Sequence, residues 1–218
     1  MGIAVGRRAL RKVNPVLDLS RHLKSIDQLP RPWTPAALFG RDAPLEVEVG
    51  SGKGLFLRTT APVRPESNFL GIEIVHKYAA FAAAGLLKAA ATNALVVSGD
   101  ALRIFGELIP DSSLAAVHVY FPDPWWKKRH RKRRVVNEVF LRNVQRALLP
   151  GGRFHLWTDV EEYFQASLEL IAQTTRLSGP LPVAESPAEH DMDYRTHFER
   201  RVRQLGGPVY RAEYGKEE

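Results

Sequence analysis

The stretch Leu45-Glu-Val-Glu-Val-Gly-Ser-Gly-Lys-Gly-Leu-Phe-Leu57 indicates the fold of this chain. Residues 45–49 predict a short strand, and the apolar residues from 55 onward predict the start of a helix. Three glycines alternate with other residues between the two elements. Glycine at such places can take a positive φ and lets the backbone approach a ligand closely. The stretch therefore predicts an α/β domain with a binding loop after its first strand.

Further elements alternate along the chain. The predicted strands are 45–49, 68–72, 94–97, 115–121, 154–157 and 209–214, and the predicted helices are 77–91, 135–149 and 161–177. Strands that alternate with helices predict a doubly wound, mostly parallel, Rossmann-like sheet with right-handed crossovers. Residues 179–191 contain prolines and are interpreted as a linker.

Residues 1–44 differ in composition from the remainder. They are rich in proline and arginine and have weak periodicity. We interpret them as a partly mobile N-terminal extension, with a short helix near 17–29, before a domain that spans 45–218.

The net charge of this 218-residue chain is +7, and the seven cations of segment 127–134 account for the whole excess. Such local charge indicates a face that binds a polyanion. A smaller basic cluster comprises Arg7, Arg8, Arg11 and Lys12.

Cysteine is absent, which excludes disulfides and cysteine-ligated metal sites and is compatible with a cytoplasmic protein. The seven histidines lack metal-ligand spacing, and no apolar run approaches the roughly 20 residues that span a bilayer. We expect neither a metal nor a membrane partner. A monomer and a homodimer are both compatible with the sequence.

Acidic residues lie at or just after the carboxyl ends of five predicted strands: Glu48, Glu73, Asp100, Asp123 and Asp159. Ligands of doubly wound sheets bind beyond the carboxyl ends of the strands, where these side chains are expected to meet.

The glycine loop fits one of three known patterns. A phosphate-binding P-loop requires a glycine where Val47 lies and Ser or Thr where Gly54 lies, and the dinucleotide fingerprint is one residue longer. The remaining pattern, E-x-G-x-G-x-G, is that of S-adenosylmethionine-dependent methyltransferases. Glu73 would accept hydrogen bonds from ribose hydroxyls, and Asp100 from the amine of adenine.

The segment 120–134 holds Asp123 between two prolines, followed by Trp125, Trp126 and the basic run. Prolines fix the backbone on both sides of the carboxylate. A rigid acid, two aromatic residues and many cations suggest an active site against nucleic acid. The tryptophans either stack on a base or pack under the loop.

Together these motifs resemble the bacterial tRNA (guanine-N7-)-methyltransferases over roughly residues 45–214. The resemblance depends on 48–54, 71–73, Asp100, 121–125, the basic run 127–134, 158–159 and Tyr194-Arg-Thr-His-Phe-Glu199. It implies a transfer of methyl from S-adenosylmethionine to N7 of the guanosine at tRNA position 46, in the variable loop.

The resemblance also implies roles for single residues. Asp123 is the implied catalytic residue; the implied cofactor-binding residues are Glu48, Gly50, Gly52, Gly54, Glu73, Asp100 and Asp123. The substrate would contact Lys127, Asp159, Thr196, His197, Phe198 and Glu199, and the RNA would contact Arg129, His130, Arg131, Lys132, Arg133 and Arg134. The family often has lysine where this chain has His197.

Two other functions are compatible with parts of the sequence. One is a methyltransferase that acts on another RNA or on DNA, although base-amine enzymes commonly carry Asn/Asp-Pro-Pro-Tyr/Phe where this chain has Phe-Pro-Asp-Pro-Trp, residues 121–125. The other is a non-catalytic RNA-binding protein that retains a relict cofactor fold. The complete glycine loop with Glu73 and Asp100 argues against the latter.

Overall fold

The computed structural model contains an eight-stranded sheet. It describes residues 10, 12–183, 188, 190 and 193–217, and of Arg131 it describes only the backbone. The strand order of the sheet is β1-β4-β3-β2-β5-β6-β8-β7, and all pairings are parallel except those of β8 with β6 and β7. The strands are β1 Leu23–Ser25, β2 Leu45–Val49, β3 Asn68–Glu73, β4 Ala94–Ser98, β5 Leu114–Tyr120, β6 Leu148–Thr158, β7 Ser178–Leu181 and β8 Tyr210–Gly215.

Helices cover the sheet, and some of them begin at a side-chain cap. Asp100, Asn137 and Thr196 each accept a backbone N–H of the first helical turn, which satisfies a donor that would otherwise lack a partner. The helices are α1 Pro35–Phe39, α2 Leu55–Thr60, α3 His76–Lys88, α4 Ala101–Glu107, α5 Glu138–Ala147, α6 Glu161–Thr174 and α7 His197–Gln204; short 3₁₀ turns span Ile26–Gln28, Ala61–Val63 and Lys128–Arg133.

The two faces of the sheet differ in polarity. Alternation along β2 sends Leu45, Val47 and Val49 to the larger apolar core, whereas Glu46 and Glu48 point to the other face. The smaller core on that second face is built by residues of α2, α3, β3 and β4. Its apolar packing gives way to polar side chains towards β5 and β6.

A buried polar chain lies on this second face. Glu46 accepts from His118 Nε2 at 2.9 Å and from Arg64 Nη2 at 2.5 Å, while His118 Nδ1 lies 2.9 Å from the hydroxyl of Tyr120. Since the Nε2–H of His118 donates to Glu46, Nδ1 accepts from the tyrosine hydroxyl. Burial raises the pKa of Glu46, but His118 and Arg64 outweigh it and keep that pKa below its ordinary value.

The predicted sheet is confirmed, and all six predicted strands are present within one or two residues of their predicted ends, except that β6 begins earlier, at Leu148. The predicted helices are also present but shorter. Helix α4 was not predicted. The linker prediction is wrong at its start, because β7 lies there and pairs with β8; residues 184–187, 189, 191 and 192 lie outside the described residues.

The predicted helix near 17–29 is wrong. Leu23–Ser25 form the edge strand β1 beside β4, and Leu29 and Trp33 are buried in the larger core. Residues before 45 thus contribute a strand and core side chains, and a domain boundary at 45 stays a prediction. Arg7, Arg8 and Arg11 lie outside the described residues. In the described part of the chain, no helix is both long and apolar enough to cross a membrane.

Candidate active site

The glycine loop between β2 and α2 turns sharply under the ends of β2 and β3. The backbone φ is +78° at Gly50, +53° at Gly52 and +69° at Gly54, a region that residues with a side chain rarely adopt. The N–H groups of Gly50 and Ser51 both donate to the carbonyl of Ile72. The loop is therefore fixed against the neighbouring strand.

Gly54 differs from the other two glycines. It is not among the residues that line the cavity described below. A Cβ at this position would lie 2.6 Å from Cβ and 3.1 Å from Cα of Ala82. The glycine thus permits the loop to pack against α3, and the structure gives no support for its predicted contact with a cofactor.

A cavity of about 650 Å³ opens at the carboxyl ends of β2–β5. Four of the five predicted acids, Glu48, Glu73, Asp100 and Asp123, lie in its lining together with Gly50 and Gly52. Asp159 is not part of the lining; burial raises its pKa. The volume is in the range of cavities that enclose small organic ligands.

Glu48 is the most buried of these acids. Its Oε2 atom has no hydrogen-bond partner within the described structure, and the side chain is almost inaccessible. Burial, together with the nearby carboxylate of Glu73, raises its pKa well above the ordinary value. A buried acceptor without a partner costs free energy, so this carboxylate is poised to bind a cationic donor.

Glu73 and Asp100 are held by backbone amides. Glu73 accepts from Gly52 N–H and from Val75 N–H, each at 2.8 Å, which joins the ends of β2 and β3. Asp100 caps α4 by accepting from Leu102 N–H at 2.9 Å. Carboxylate oxygens carry more than one lone pair, so both acids can accept further bonds from hydroxyl or amine groups of a ligand.

Asp123 lies in a loop with unusual backbone geometry. Phe121 and Trp125, two residues away on either side, have φ of +52° and +44°. Bulky residues in the left-handed region are strained, and such strain concentrates at functional sites. The Nε–H of Arg134 donates to the carbonyl of Pro124 at 2.8 Å, which closes the loop.

The basic segment contributes unequally to the cavity. Lys132 and Arg133 line it, and Arg133 lies over the ring of Trp125 at 5.1 Å. Trp125 also lines the cavity. Trp126 does not line it and is 56% exposed to solvent. Lys127, Arg129, His130 and Arg134 are not in the lining, and the side chain of Arg131 lies outside the description. Arg134 stabilises the loop in this structure, and its predicted contact with RNA stays a prediction.

The motif at the start of α7 is divided between the cavity and the protein interior. Thr196, His197 and Phe198 line the cavity, but Glu199 is buried beneath them. Its carboxylate accepts from the N–H of Arg195 at 2.7 Å and lies within 3.2 Å of Arg203 and 3.6 Å of Arg211. In this structure Glu199 anchors the helix, and its predicted contact with substrate stays a prediction.

His197 stands among cations. Burial and then the positive charges of its neighbours lower the pKa of its imidazole to about 4; these neighbours are Arg200, Arg58, Lys53 and Arg201. The imidazole is therefore neutral at physiological pH.

Several lining residues were missed from the sequence. Ile74 and Val75 follow Glu73 and are exposed apolar side chains at the rim, and Tyr78 lies one turn further along the chain. Tyr120 and Phe121, which precede Asp123, also line the cavity. Ile74 and Val75 could have been predicted, because two apolar residues directly follow the acid at the end of β3. Phe121 could not, because the direction of its ring depends on a positive φ that the sequence does not show.

Comparison with known proteins identifies the family. The family model with the description "Putative methyltransferase" matches residues 42–212. A tRNA (guanine-N(7)-)-methyltransferase of Rhodopirellula baltica is 54% identical over 96% of this chain and 80% of that protein. The chain belongs to the tRNA (guanine-N(7)-)-methyltransferases. The tRNA (guanine-N(7)-)-methyltransferase of Aeromonas hydrophila is 37% identical over 93% of this chain and 83% of that protein.

Solved structures share the fold of this tRNA (guanine-N(7)-)-methyltransferase family member. A 16S rRNA (adenine(1408)-N(1))-methyltransferase from Catenulisporales acidiphilia has a TM-score of 0.55 at 17% identity, covering 80% of this chain and 86% of that one. A precorrin-6y C5,15-methyltransferase from Geobacter metallireducens has a TM-score of 0.54 at 18% identity, covering 81% and 82%. At these identities the likeness concerns the fold alone.

Proposed function

We propose that this protein transfers a methyl group from S-adenosylmethionine to N7 of a guanosine in tRNA and so forms 7-methylguanosine. The observation that carries the proposal is that Asp123 and the buried Glu48 line one cavity in a member of the tRNA (guanine-N(7)-)-methyltransferase family. The same cavity has Lys132 and Arg133 in its rim, as a polyanionic substrate requires.

The residues present fit S-adenosylmethionine. The buried Glu48 has an oxygen without a partner among the described residues, which suits a cationic ligand, while Glu73 and Asp100 offer acceptors for hydroxyl and amine groups. When bound, the cofactor supplies an electrophilic methyl group on a sulfonium. Gly50 and Gly52 leave the loop side of the cavity open, since a Cβ on either would meet no atom closer than 3.9 Å.

Guanine requires little chemical assistance from the protein. Its N7 carries an in-plane lone pair and no proton, so no general base is needed before the attack. The protein contributes orientation and exclusion of water, which lower the barrier by prepaying entropy. Positive charge develops on the purine during transfer, and a fixed carboxylate at Asp123 would stabilise that charge electrostatically.

The remaining predicted contacts form part of the same proposal. The cations around the cavity rim would hold phosphates of tRNA, and the base would enter the cavity after leaving its stack. Thr196 and His197, which line the cavity, would contact the base, and Lys127 and Asp159, which do not line it, would contact the substrate beyond the cavity. By resemblance the target is position 46 of the variable loop, and the protein acts in the cytoplasm.

The proposal is tested by incubating the purified protein with bulk tRNA and labelled S-adenosylmethionine, then analysing the nucleosides. We expect 7-methylguanosine from the parent protein. Asp123→Asn removes the negative charge and keeps the shape of the side chain. It should slow single-turnover transfer at least about a hundredfold, as does the loss of one group that stabilises charge in a transition state. Asp42→Asn, an exposed acid before β2, serves as the control and should keep the parental rate.

Different results contradict different parts of the proposal. Label in ribosomal RNA but not in tRNA would make another RNA the substrate. Label on a different tRNA atom would exclude N7 as the target, and a parental rate in Asp123→Asn would exclude an electrostatic role of that carboxylate. Absence of cofactor binding by calorimetry would instead indicate a relict fold.

A further inference from the structure

Two phenylalanine rings stack at the cavity surface. Phe121 follows β5 and Phe198 lies in the first turn of α7, yet both line the cavity. Their ring centroids are 6.3 Å apart and their planes differ by 23°. Phe198 is 38% exposed. A layered pair of rings in the lining of the cavity, one half-buried and one exposed, offers a flat surface to a flat ligand.

The backbone directs Phe121 into this place. Side chains alternate along a strand, so an extended residue after Tyr120 would point to the opposite face of the sheet. The φ of +52° instead keeps the Phe121 ring on the same side as Tyr120, where it packs against the smaller core. A bulky residue rarely adopts this conformation, and the position of the ring is a reason for the strain.

The backbone segments that carry the two rings are both connected to Trp157. The N–H of Phe121 donates to the carbonyl of Trp157 at 2.8 Å. The guanidinium of Arg211 lies over the Trp157 ring at 4.9 Å and pairs with Glu199, the neighbour of Phe198, at 3.6 Å. The sheet therefore holds the backbone positions from which the two rings project.

The tryptophans are less suited to hold a base within the cavity. Trp126 lies outside the lining and is exposed. Trp125 lines the cavity, but the guanidinium of Arg133 lies over its ring and His130 packs against it edge-on, with ring centroids 5.7 Å apart. The stacking role that the sequence suggested for a tryptophan is better served by Phe121.

We propose that Phe121 is a positioning residue, whose ring, backed by Phe198, is the surface on which the target guanine stacks. This inference rests on the proposed function. Bases that leave a nucleic acid stack are commonly received by aromatic side chains. Because the lone pair of N7 lies in the plane of the purine, a ring that fixes this plane also fixes the direction from which N7 attacks.

The test compares Phe121→Leu with Phe121→Trp. Both variants keep a bulky side chain at the strained position, and only the second retains a flat ring. Stacking contacts are worth a factor of about 5 to 150 per base. We expect Phe121→Leu to slow single-turnover methylation by a factor in this range at saturating tRNA and cofactor, and Phe121→Trp to stay within about threefold of the parent, with cofactor affinity unchanged in both.

A binding cycle separates stacking from general damage. Affinity is measured for tRNA that carries the target guanosine and for the same tRNA without that base. Removal of the base should weaken binding to the parent and to Phe121→Trp, but not to Phe121→Leu, since the ring and the base act as a pair. Thermal unfolding of each variant confirms that the fold is retained, and Phe121→Tyr replaces Phe121→Trp if the larger ring does not fold.

Each other outcome overturns the inference in a recognisable way. If the parent methylates tRNA and Phe121→Leu has the same rate and the same dependence on the target base, Phe121 is not the stacking surface. The proposed function then remains intact. Equal losses in the Leu and Trp variants reduce Phe121 to a packing residue. A matching loss of cofactor affinity assigns the ring to the cofactor instead. A parent that neither binds nor methylates tRNA overturns the proposed function and this inference together.

Discussion

Replacing Gly54 with alanine should destabilise the protein through one identifiable contact. The new Cβ would lie 2.6 Å from Cβ of Ala82 in α3, closer than real carbon atoms approach, and 3.1 Å from its Cα, which is also tight. Overpacking of this kind costs about 1–3 kcal/mol. The φ of +69° adds about 1–2 kcal/mol for a residue with a side chain. The free energy of unfolding should fall by about 2–5 kcal/mol in total, measured by urea denaturation of the cofactor-free protein.

Gly40 provides a matched control for this prediction. It has the same φ of +69°, but a Cβ there would meet no atom within 4 Å. Gly40→Ala should therefore cost only the conformational part, about 1–2 kcal/mol. Adding Ala82→Gly to the Gly54→Ala protein should recover part of the difference, because it removes the closest atom. Equal losses for Gly40→Ala and Gly54→Ala, or no coupling with Ala82→Gly, would refute the assignment of Gly54 to packing between the loop and α3.

Two further predictions follow from buried ionisable groups. Burial raises the pKa of Glu48, so its carboxyl lowers the free energy of unfolding as the pH rises above the pKa that Glu48 has in the unfolded chain. Glu48→Gln should therefore raise the melting temperature at pH 7.5 and weaken the affinity for S-adenosylmethionine in calorimetry. A lower melting temperature with unchanged affinity would contradict this. Burial, aided by the neighbouring His118, lowers the pKa of His155 to about 3, so the unfolded chain takes up the proton first as pH falls below 6.5. Urea denaturation between pH 7.5 and 5 should therefore show about 2 kcal/mol less loss of stability in His155→Gln than in the parent, and equal losses would show that His155 does not resist protonation.

The sequence predicted the sheet and the place of the site for a common reason. Buried parallel strands read as short apolar runs, and their carboxyl ends meet at one edge whatever the detailed packing. The acids of β2, β3 and β5 could therefore be assigned to one cavity before any contact was known. The prediction was wrong for β1, because three residues at a sheet edge in a segment rich in Arg and Pro carry too little periodicity to be recognised.

The roles of individual side chains were less predictable, since they depend on direction and not on spacing. Glu199 follows Phe198, and adjacent residues of a helix point about 100° apart, so one lines the cavity while the other is buried against Arg211. Gly54 continues the glycine pattern of Gly50 and Gly52 but faces α3. A motif specifies which residues occur together, and only packing decides which of them a ligand can touch.

The polar half of the second sheet face explains how a strained loop is kept in place beside the cavity. Tyr120, the last residue of β5, is tied through His118 to Glu46. Removing one member of such a network leaves its partner buried and unpaired, which lowers the free energy of unfolding by about 3–5 kcal/mol. This is more than the roughly 1–3 kcal/mol that the strained backbone of Phe121 costs. Hydrogen bonds of 2.9 Å also constrain orientation, because they weaken steeply when their angle departs from linearity. The network therefore holds Tyr120, the residue from which the chain enters the loop that carries Asp123.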